Sequence, residues 1–506
     1  MLRQDYLMGV DIGTSESKGC IIDAQGTLIA FSSEKHGMEN PKPNYYEHDA
    51  DKVWLHDLCV LTRRLLEQSE IPKESIRSLG ISTLGTNCLP VDRDLKPLRK
   101  AILYGIDARS QKEIEYLTAY YGEEKVRELF GRPIVSGDVC AKILWIRNNE
   151  PEVYAKTYKF LTGTSYLVAK LTGNCVIDSF LGTASFRPLY EMDGRIREEM
   201  CAPFCRPDQL PEGRTVTDVA GRVTAAAAEA TGLAAGTPVI VGTGDSAAEA
   251  ISTGVTRPGD MMVQFGSSIF IYCCTERLIR DDRVRGNNFT IPNTFSVAAG
   301  TNNCGTVIDW YKNNLYPEFA AAEAAGGENA YEAMIRAAAG VPIGSDGLVT
   351  LPYFAGERTP INDPDARGLV IGLLGRHTRD HLYRSALEGI AFSAAQHVDI
   401  LREHHISPLN IMAAGGGTKN GLLMQMAADV TGEPIHIAEV TVGATYGDAL
   451  MAGIGTGIFK DFNDLQRLIR ISVTVEPNRE SHEAYQRYRK IYDQTYLATK
   501  DLMHMF

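Results

Sequence analysis

The sequence predicts an α/β protein built from two similar halves. Three observations carry this. Short apolar strands alternate with amphipathic helices along the chain. A strand, Gly-[Ser/Thr]-[Ser/Thr], strand pattern occurs at Gly13-Thr14-Ser15 and again at Gly266-Ser267-Ser268. The two copies lie about 250 residues apart in a chain of 506, which puts a boundary near residue 250 and predicts units 1–250 and 251–506.

The elements follow from local pattern. Tyr6–Val10 meets Asp11 and Gly13, then Gly19–Asp23 and Thr27–Ser32 follow across tight turns, so three strands are expected. Residues 51–69 carry Val53, Leu58, Leu61, Leu65 and Leu66 at helical spacing. Ser78–Thr83 reads as a strand entering a Gly/Thr/Asn loop, and 110–130 and 139–149 as helices. Pro238–Val241 is a strand broken at Gly242-Thr243-Gly244-Asp245, with a small-residue helix, Ser246–Ser252, behind it. In the second half the pattern predicts strands at Asp260–Phe265, Ile269–Cys274, Leu348–Phe354 and Ile411–Ala414. It predicts helices near 305–316, 328–339, 381–405, 420–430 and 480–503. Trp54 and Trp145 fall on helical patterns and are expected in the core.

Composition narrows the function class. Apolar residues make up 44% and charged residues 23%, ordinary for a packed globular chain. The net charge of −12 comes with no long basic run, which argues against nucleic acid as partner. No stretch of about 18 residues is continuously apolar, so no membrane span is expected. The N-terminal run MLRQDYLMGVDIG reads straight into a strand without a signal peptide. The ten cysteines form no C-x-x-C pair, as expected for reduced thiols in the cytoplasm.

Three loops can carry chemistry. Asp11-Ile12-Gly13-Thr14-Ser15 lies between two strands; its glycine exposes backbone N–H groups, its hydroxyls add donors, and its carboxylate could hold hydrated magnesium. A plain hairpin turn would use the same residues. Gly242-Thr243-Gly244-Asp245-Ser246 loosely matches a dinucleotide fingerprint. A carboxylate inside that loop would repel a pyrophosphate and is better placed to take a proton from a hydroxyl; Asp245 could also be a helix N-cap. Gly415-Gly416-Gly417-Thr418-Lys419-Asn420, between a strand and a helix, lets a flat ligand approach the backbone, or is an ordinary βα loop. No P-loop motif is present.

Taken together and in this order, these loops resemble the FGGY carbohydrate kinases. The likeness spans essentially the whole chain, including Asp11–Lys18, Asp107-x-Arg109, Gly244-Asp245, Ala366-Arg367-Gly368, Gly372–Phe392 and Gly415–Gly417. Within the family it is strongest to xylulokinases, through LPYFAGERTPINDPDARG at Leu351–Gly368. The resemblance implies two actin-like, ribonuclease H-like domains with a catalytic cleft between them. The first would bind sugar and supply the base; the second would bind nucleotide. It implies ATP and Mg2+, with Asp245 as general base and, with Asp11, a metal contact. Gly13, Thr14, Ser15 and Lys18 would hold one side of the ATP phosphates and Gly266, Ser267 and Ser268 the other. Gly416, Gly417 and Asn420 would lie near the adenosine. Asp107, Arg109, Thr86 and Asp245 would meet the sugar, a pentulose such as D-xylulose, and a homodimer fits the family. Two departures fall in the sugar site. The histidine of the xylulokinase Met-His-Gly loop is replaced by Thr86, and the tryptophan near Asp107 by Tyr104 or Gly105. Other ketoses, polyols and sugar acids therefore stay open as acceptors. A non-catalytic actin-like ATPase or sugar sensor, which would lack a base, and a nicotinamide oxidoreductase are the readings from other classes.

Overall fold

The structure is a computed structural model that describes residues 5–407 and 410–506; the first four residues of the N-terminal run lie outside it. Two seven-stranded sheets dominate. The first contains β1 (Tyr6–Ile12), β2 (Glu16–Asp23), β3 (Leu28–Lys35), β4 (Ile76–Thr83), β5 (Val219–Arg222), β6 (Pro238–Ile240) and β7 (Thr243–Gly244). Its order is β5-β6-β4-β1-β2-β3, with β7 on β4. The second contains β8 (Asp260–Phe265), β9 (Ile269–Thr275), β10 (Arg285–Asn288), β11 (Phe295–Thr301), β12 (Asn410–Ala414), β13 (Ile435–Ala438) and β14 (Ile471–Val475), in the order β10-β11-β9-β8-β12-β13-β14.

The two sheets share one plan. In each, a first strand pairs antiparallel with the next, which pairs antiparallel with a third (β1, β2, β3; β8, β9, β11). On its other side the first strand pairs parallel with β4 or β12, then parallel with β6 or β13, then antiparallel with β5 or β14. The repeated Gly-hydroxyl turns are the β1–β2 and β8–β9 connections, so the short sequence repeat marks a repeat of the whole sheet. Parallel central strands covered on both faces account for the near-continuous burial of β1 and β4.

The helices that position the site are α1 (His56–Ser69), α2 (Gly163–Thr172), α3 (Asp245–Ser252), α4 (Arg379–Glu403), α5 (Gly421–Thr431), α6 (Ala444–Gly455) and α7 (Arg479–Met503). A π-helical turn, Ala50–Leu55, leads into α1, started by the Asp49 carboxylate on Lys52 N. The single helix expected over 110–130 is two, because Gly122 at φ +78° interrupts it between Tyr121 and Glu123. Trp54 and Trp145 are buried, as expected. Among the described residues, no helix is long and apolar enough to cross a membrane, and all ten cysteines are free.

Helix α6 ties the halves together. It lies late in the chain but packs on β1 and β4 of the first sheet and on α3. Its backbone meets theirs directly: a Cβ on Gly80 would overlap the carbonyl of Asp448, one on Gly9 that of Thr445, and one on Gly447 that of Ala248. Thr445 Oγ1 donates to Gly9 O at 2.6 Å, and Tyr446 donates its hydroxyl to Gly26 O at 2.8 Å. Gly80→Ala is therefore expected to cost about 1–3 kcal/mol or more of unfolding free energy by overpacking. Gly375→Ala, where an added Cβ meets nothing within 4 Å, is the control, and urea unfolding of both variants is the measurement.

Candidate functional site

Asp11 ends β1 beside the β1–β2 turn, and Lys18 is its cross-strand neighbour on β2. The turn is tight, with Gly13 N donating to Glu16 O at 3.1 Å, and Thr14 and Ser15 stand outward. The matching β8–β9 turn closes Gly266 N on Ser268 O at 2.9 Å. Behind it, Gly305 N and the Thr306 hydroxyl donate to the carbonyls of Gly266 and Ser267. Arg358 joins this loop: Nη2 donates to Thr301 O at 2.7 Å and lies 3.4 Å from Ser268 Oγ. Its neighbour Glu357 is buried and accepts from Asn302 N at 2.7 Å and Asn303 Nδ2 at 3.1 Å, anchoring the segment that carries the arginine.

Asp245 is the first residue of α3, directly after β7, with Gly244 in the N-cap position. It is not the helix cap; its Oδ1 accepts only from Ser246 N, at 2.7 Å. Burial, then the charge of Asp11, pushes its carboxyl up to about 8. Burial likewise pushes Asp11 up to about 7, against the hydrogen bond from Ser82. Glu249, one turn along α3, is raised by burial and is held to β8 through Gln264 at 2.7 Å. Three carboxyl groups thus lie close together: the charges of Asp11 and Glu249 raise Asp245, and that of Glu249 raises Asp11. The Gly85-Thr86 loop lies alongside, since a Cβ on Gly85 would sit 3.9 Å from Asp245 Oδ1. Tyr104 completes this wall, its hydroxyl 3.3 Å from Thr14 Oγ1; of the two positions expected to replace the tryptophan, Tyr104 is the one at the β1–β2 turn. Lys142, fully buried, fixes that segment by donating to Leu103 O at 2.5 Å and Tyr104 O at 3.1 Å.

Asp107 and Arg109, expected at the sugar, are bonded to each other and to the Tyr45–His48 strand. Asp107 is fully buried. Its oxygens accept from Tyr46 N at 2.6 Å, Arg109 N at 3.1 Å, Arg109 Nε and Arg109 Nη2 at 2.7 Å, which uses up its lone pairs. Arg109 spends its remaining fork on Glu47 at 2.7 Å and stacks on Tyr45 at 4.2 Å. The pair is a buried clamp on the Tyr45–His48 strand. Thr86 is buried and close to Asp245, but its hydroxyl donates to Ser185 at 2.6 Å. In the loop after β12, Gly415 takes φ +85°. A Cβ on Gly417 would press on Phe265 Cβ at 2.6 Å, while Gly416 faces open space that a flat ring could use. Asn420 is fixed at the start of α5, its Oδ1 accepting from Leu423 N at 3.0 Å as the helix cap.

Sequence reading missed Asp448, which has no motif signal: it lies in a small-residue helix about 200 residues beyond Asp245. Helix α6 delivers it, fully buried, to the back of the carboxylate cluster. Ser82 Oγ lies 2.9 Å from Asp11 Oδ1 and 2.7 Å from Asp448 Oδ2. One hydroxyl has one proton and cannot donate to both. Burial and the charge of Asp11 hold Asp448 well above the usual carboxylate range, so of the two acids on Ser82 it is the one that favours keeping a proton. The chain then runs from Asp448 to Ser82 to Asp11, directing the serine proton at Asp11. Behind the phosphate turn, His36 Nδ1 is 2.8 Å from Asp57 Oδ2 and Nε2 is 3.1 Å from Gly13 O. Both partners are acceptors, so both ring nitrogens donate. Burial lowers the His36 pKa, but the bond and charge of Asp57 outweigh it and the net shift is upward.

Two outcomes follow. Replacing a neutral acid by a neutral amide, Asp448→Asn should change unfolding free energy by less than about 1 kcal/mol. A gain well above that in urea titration would mean that Asp448 is ionised. The raised pKa of folded His36 makes its stabilisation complete below about 6.5 and lost as pH rises through the folded value. The difference in Tm between the wild type and His36→Asn should therefore be larger at about pH 6 than at about pH 9.

Comparison with known proteins agrees with this geometry. The chain is 28% identical over 505 residues to the xylulose kinase of Bacillus subtilis, covering 98% of each chain. It is 25% identical to the gluconokinase of the same species over 96% of this chain and 94% of that one. The crystal structure of xylulose kinase from Rhodospirillum rubrum superposes with a TM-score of 0.89 at 28% identity, covering 99% of this chain and 100% of that one. Residues 6–252 match the N-terminal domain, and residues 261–456 the C-terminal domain, of the FGGY family of carbohydrate kinases. With two sheets on one plan, paired Gly-hydroxyl turns and a carboxylate cluster between them, the chain belongs to the FGGY family of carbohydrate kinases, enzymes that phosphorylate sugars at the expense of ATP.

Proposed function

We propose that the chain moves the γ-phosphoryl group of ATP to a primary hydroxyl of a small ketose, a pentulose such as D-xylulose, with Asp245 as general base. The observation that carries this is the position of Asp245: a part-exposed carboxyl, pushed up to about 8, between the two Gly-hydroxyl turns. A base whose pKa lies near the working pH suits removal of a hydroxyl proton. Thr14, Ser15, Ser267 and Ser268, with the loop amides, would grip the phosphates, and Arg358 would add positive charge on the Ser268 side. Gly416 and Gly417 would take the adenosine, and Tyr104 with the Gly85-Thr86 loop would wall the sugar. In this division, 1–250 binds sugar and 251–506 binds nucleotide, and the free cysteines fit a cytoplasmic site of action.

The site also fits magnesium. Asp11 and Asp245 are oxygen donors, and each has one carboxylate oxygen that accepts no hydrogen bond among the described residues. One or two carboxylates with phosphate oxygens and water is the usual set for this ion. When bound it would supply charge neutralisation to the phosphates and relieve the repulsion that raises the carboxyl pKa values. Asp245 would then accept the sugar proton while the closed cleft excludes water from the γ-phosphate.

The sugar acid reading rests on the similarity to gluconokinase and on Thr86 standing where xylulokinases have histidine. An ADP-release panel of ketoses, polyols and sugar acids decides between them; D-xylulose giving the highest kcat/KM is the expected result. Asp245→Asn should keep ATP binding and lose about 10²–10⁴-fold in turnover. Near-normal turnover in that variant would reject the assignment.

A further inference from the structure

The seam between the two halves holds a second chemically distinctive place. A cavity of about 330 Å3 there is lined by Arg132, Arg187 and Arg197 from the first half and by Arg280 and Arg285 from the second. None of its lining residues belongs to the turns that carry Asp11, Asp245 or Ser267. Its size is at the lower end of the range for small-molecule sites.

Two of the five arginines are neutralised by carboxylates. Arg132 forms a fork on Asp138 with two bonds of 2.8 Å, and Arg197 lies 3.3 Å from both Glu191 and Glu199. The acids on the cavity wall are engaged as well. Asp281 holds Arg283 at 2.7 Å and His404 at 2.9 Å, Glu128 holds Lys125 at 2.7 Å, and Glu191 is the partner of Arg197. Among the described residues, no carboxylate lies within ion-pairing distance of Arg187, Arg280 or Arg285.

Arg187 is also held in place. Its Nε donates to Thr183 O at 2.5 Å, its Nη2 to Asn287 Oδ1 at 2.6 Å, and its Nη1 to the carbonyl of Phe130. All three acceptors are neutral, so the cation is oriented but not compensated. Burial, with the nearby charges of Arg132 and Arg280, lowers its pKa to about 10. A preorganised guanidinium with spare N–H donors, facing two more across a concave seam, matches phosphate or carboxylate oxygens.

We propose that this interdomain cavity binds a small polyanion carrying two phosphoryl-type groups, bridging Arg187 on one half to Arg280 and Arg285 on the other. The seam is already crossed there by Arg187–Asn287, Thr183–Asn288 and Asn288 Nδ2 on Ser179 O at 3.2 Å. A bridging anion adds ties at the same place, and so favours one arrangement of the two halves over others. The chemistry is shared by inorganic pyrophosphate and by a bisphosphorylated small metabolite.

The test is calorimetric titration of the full chain with inorganic pyrophosphate in metal-free buffer, with ADP held at saturation to block the nucleotide site. Orthophosphate and a sugar bisphosphate are run in parallel to separate the two sources. One saturable pyrophosphate or bisphosphate site per chain is expected, weakened by about tenfold or more in the Arg280→Ser/Arg285→Ser double variant. Both arginines are exposed, so the variant should keep its Tm and its kinase activity without added anion. Absence of saturable binding by either bis-anion, or equal affinity in the double variant, overturns the proposal. Loss of sugar kinase activity alone leaves this readout unchanged, so failure of the functional assignment is distinguishable.

Discussion

The close approach of α6 to the first sheet is the constraint on which the rest of the molecule depends. Helices usually lie 8–10 Å from their neighbours because side chains intervene. Here Gly9, Gly80 and Gly447 remove the side chains, and carbonyls sit where Cβ atoms would be. A segment from the far end of the chain is thereby seated on β1 and β4 and against α3, the three elements that carry Asp11, Ser82 and Asp245. The cleft between the halves has a shared floor rather than a loose hinge, and small movements of α6 reach both aspartates.

Electrostatic strain is concentrated on that floor. Asp11, Asp245, Glu249 and Asp448 are driven upward by burial and, in Asp11, Asp245 and Asp448, by a neighbouring acid. Such clusters cost stability, and they are found where charge must be received or a proton held. The protein manages the cost by giving protons to the deepest member and routing a hydrogen bond through Ser82 toward the front. Elsewhere it compensates charge closely, as in the Asp107–Arg109–Glu47 clamp, which turns a motif with the look of a substrate site into scaffold. The arginines at the interdomain seam are left without that compensation.

Much of the fold was legible along the chain because its signals are local. The β1–β2 turn, the strand before Gly242, the 139–149 helix and the long helices α4 and α7 lie where periodicity and turn residues place them. Misreadings came where one residue outweighed a periodic pattern, as Gly122 does in breaking the 110–130 helix. At the site, Asp11, Asp245 and the paired Gly-hydroxyl turns lie at the strand ends and turns where the sequence pattern places them. Asp107, Arg109 and Asn420 show what a sequence leaves open: charged and amide groups look alike in it whether they face a ligand or a backbone N–H.

The sequence alone determined the repeat of two α/β halves and the Gly-hydroxyl turn in each, since these depend on neighbours a few positions apart. Tertiary structure alone decided that Asp448 stands behind Asp11, that Asp107 is saturated and that arginines from the two halves share a cavity. Those facts depend on contacts between residues tens to hundreds of positions apart, whose distances are set by packing and by the backbone contacts of α6, and no local pattern encodes them.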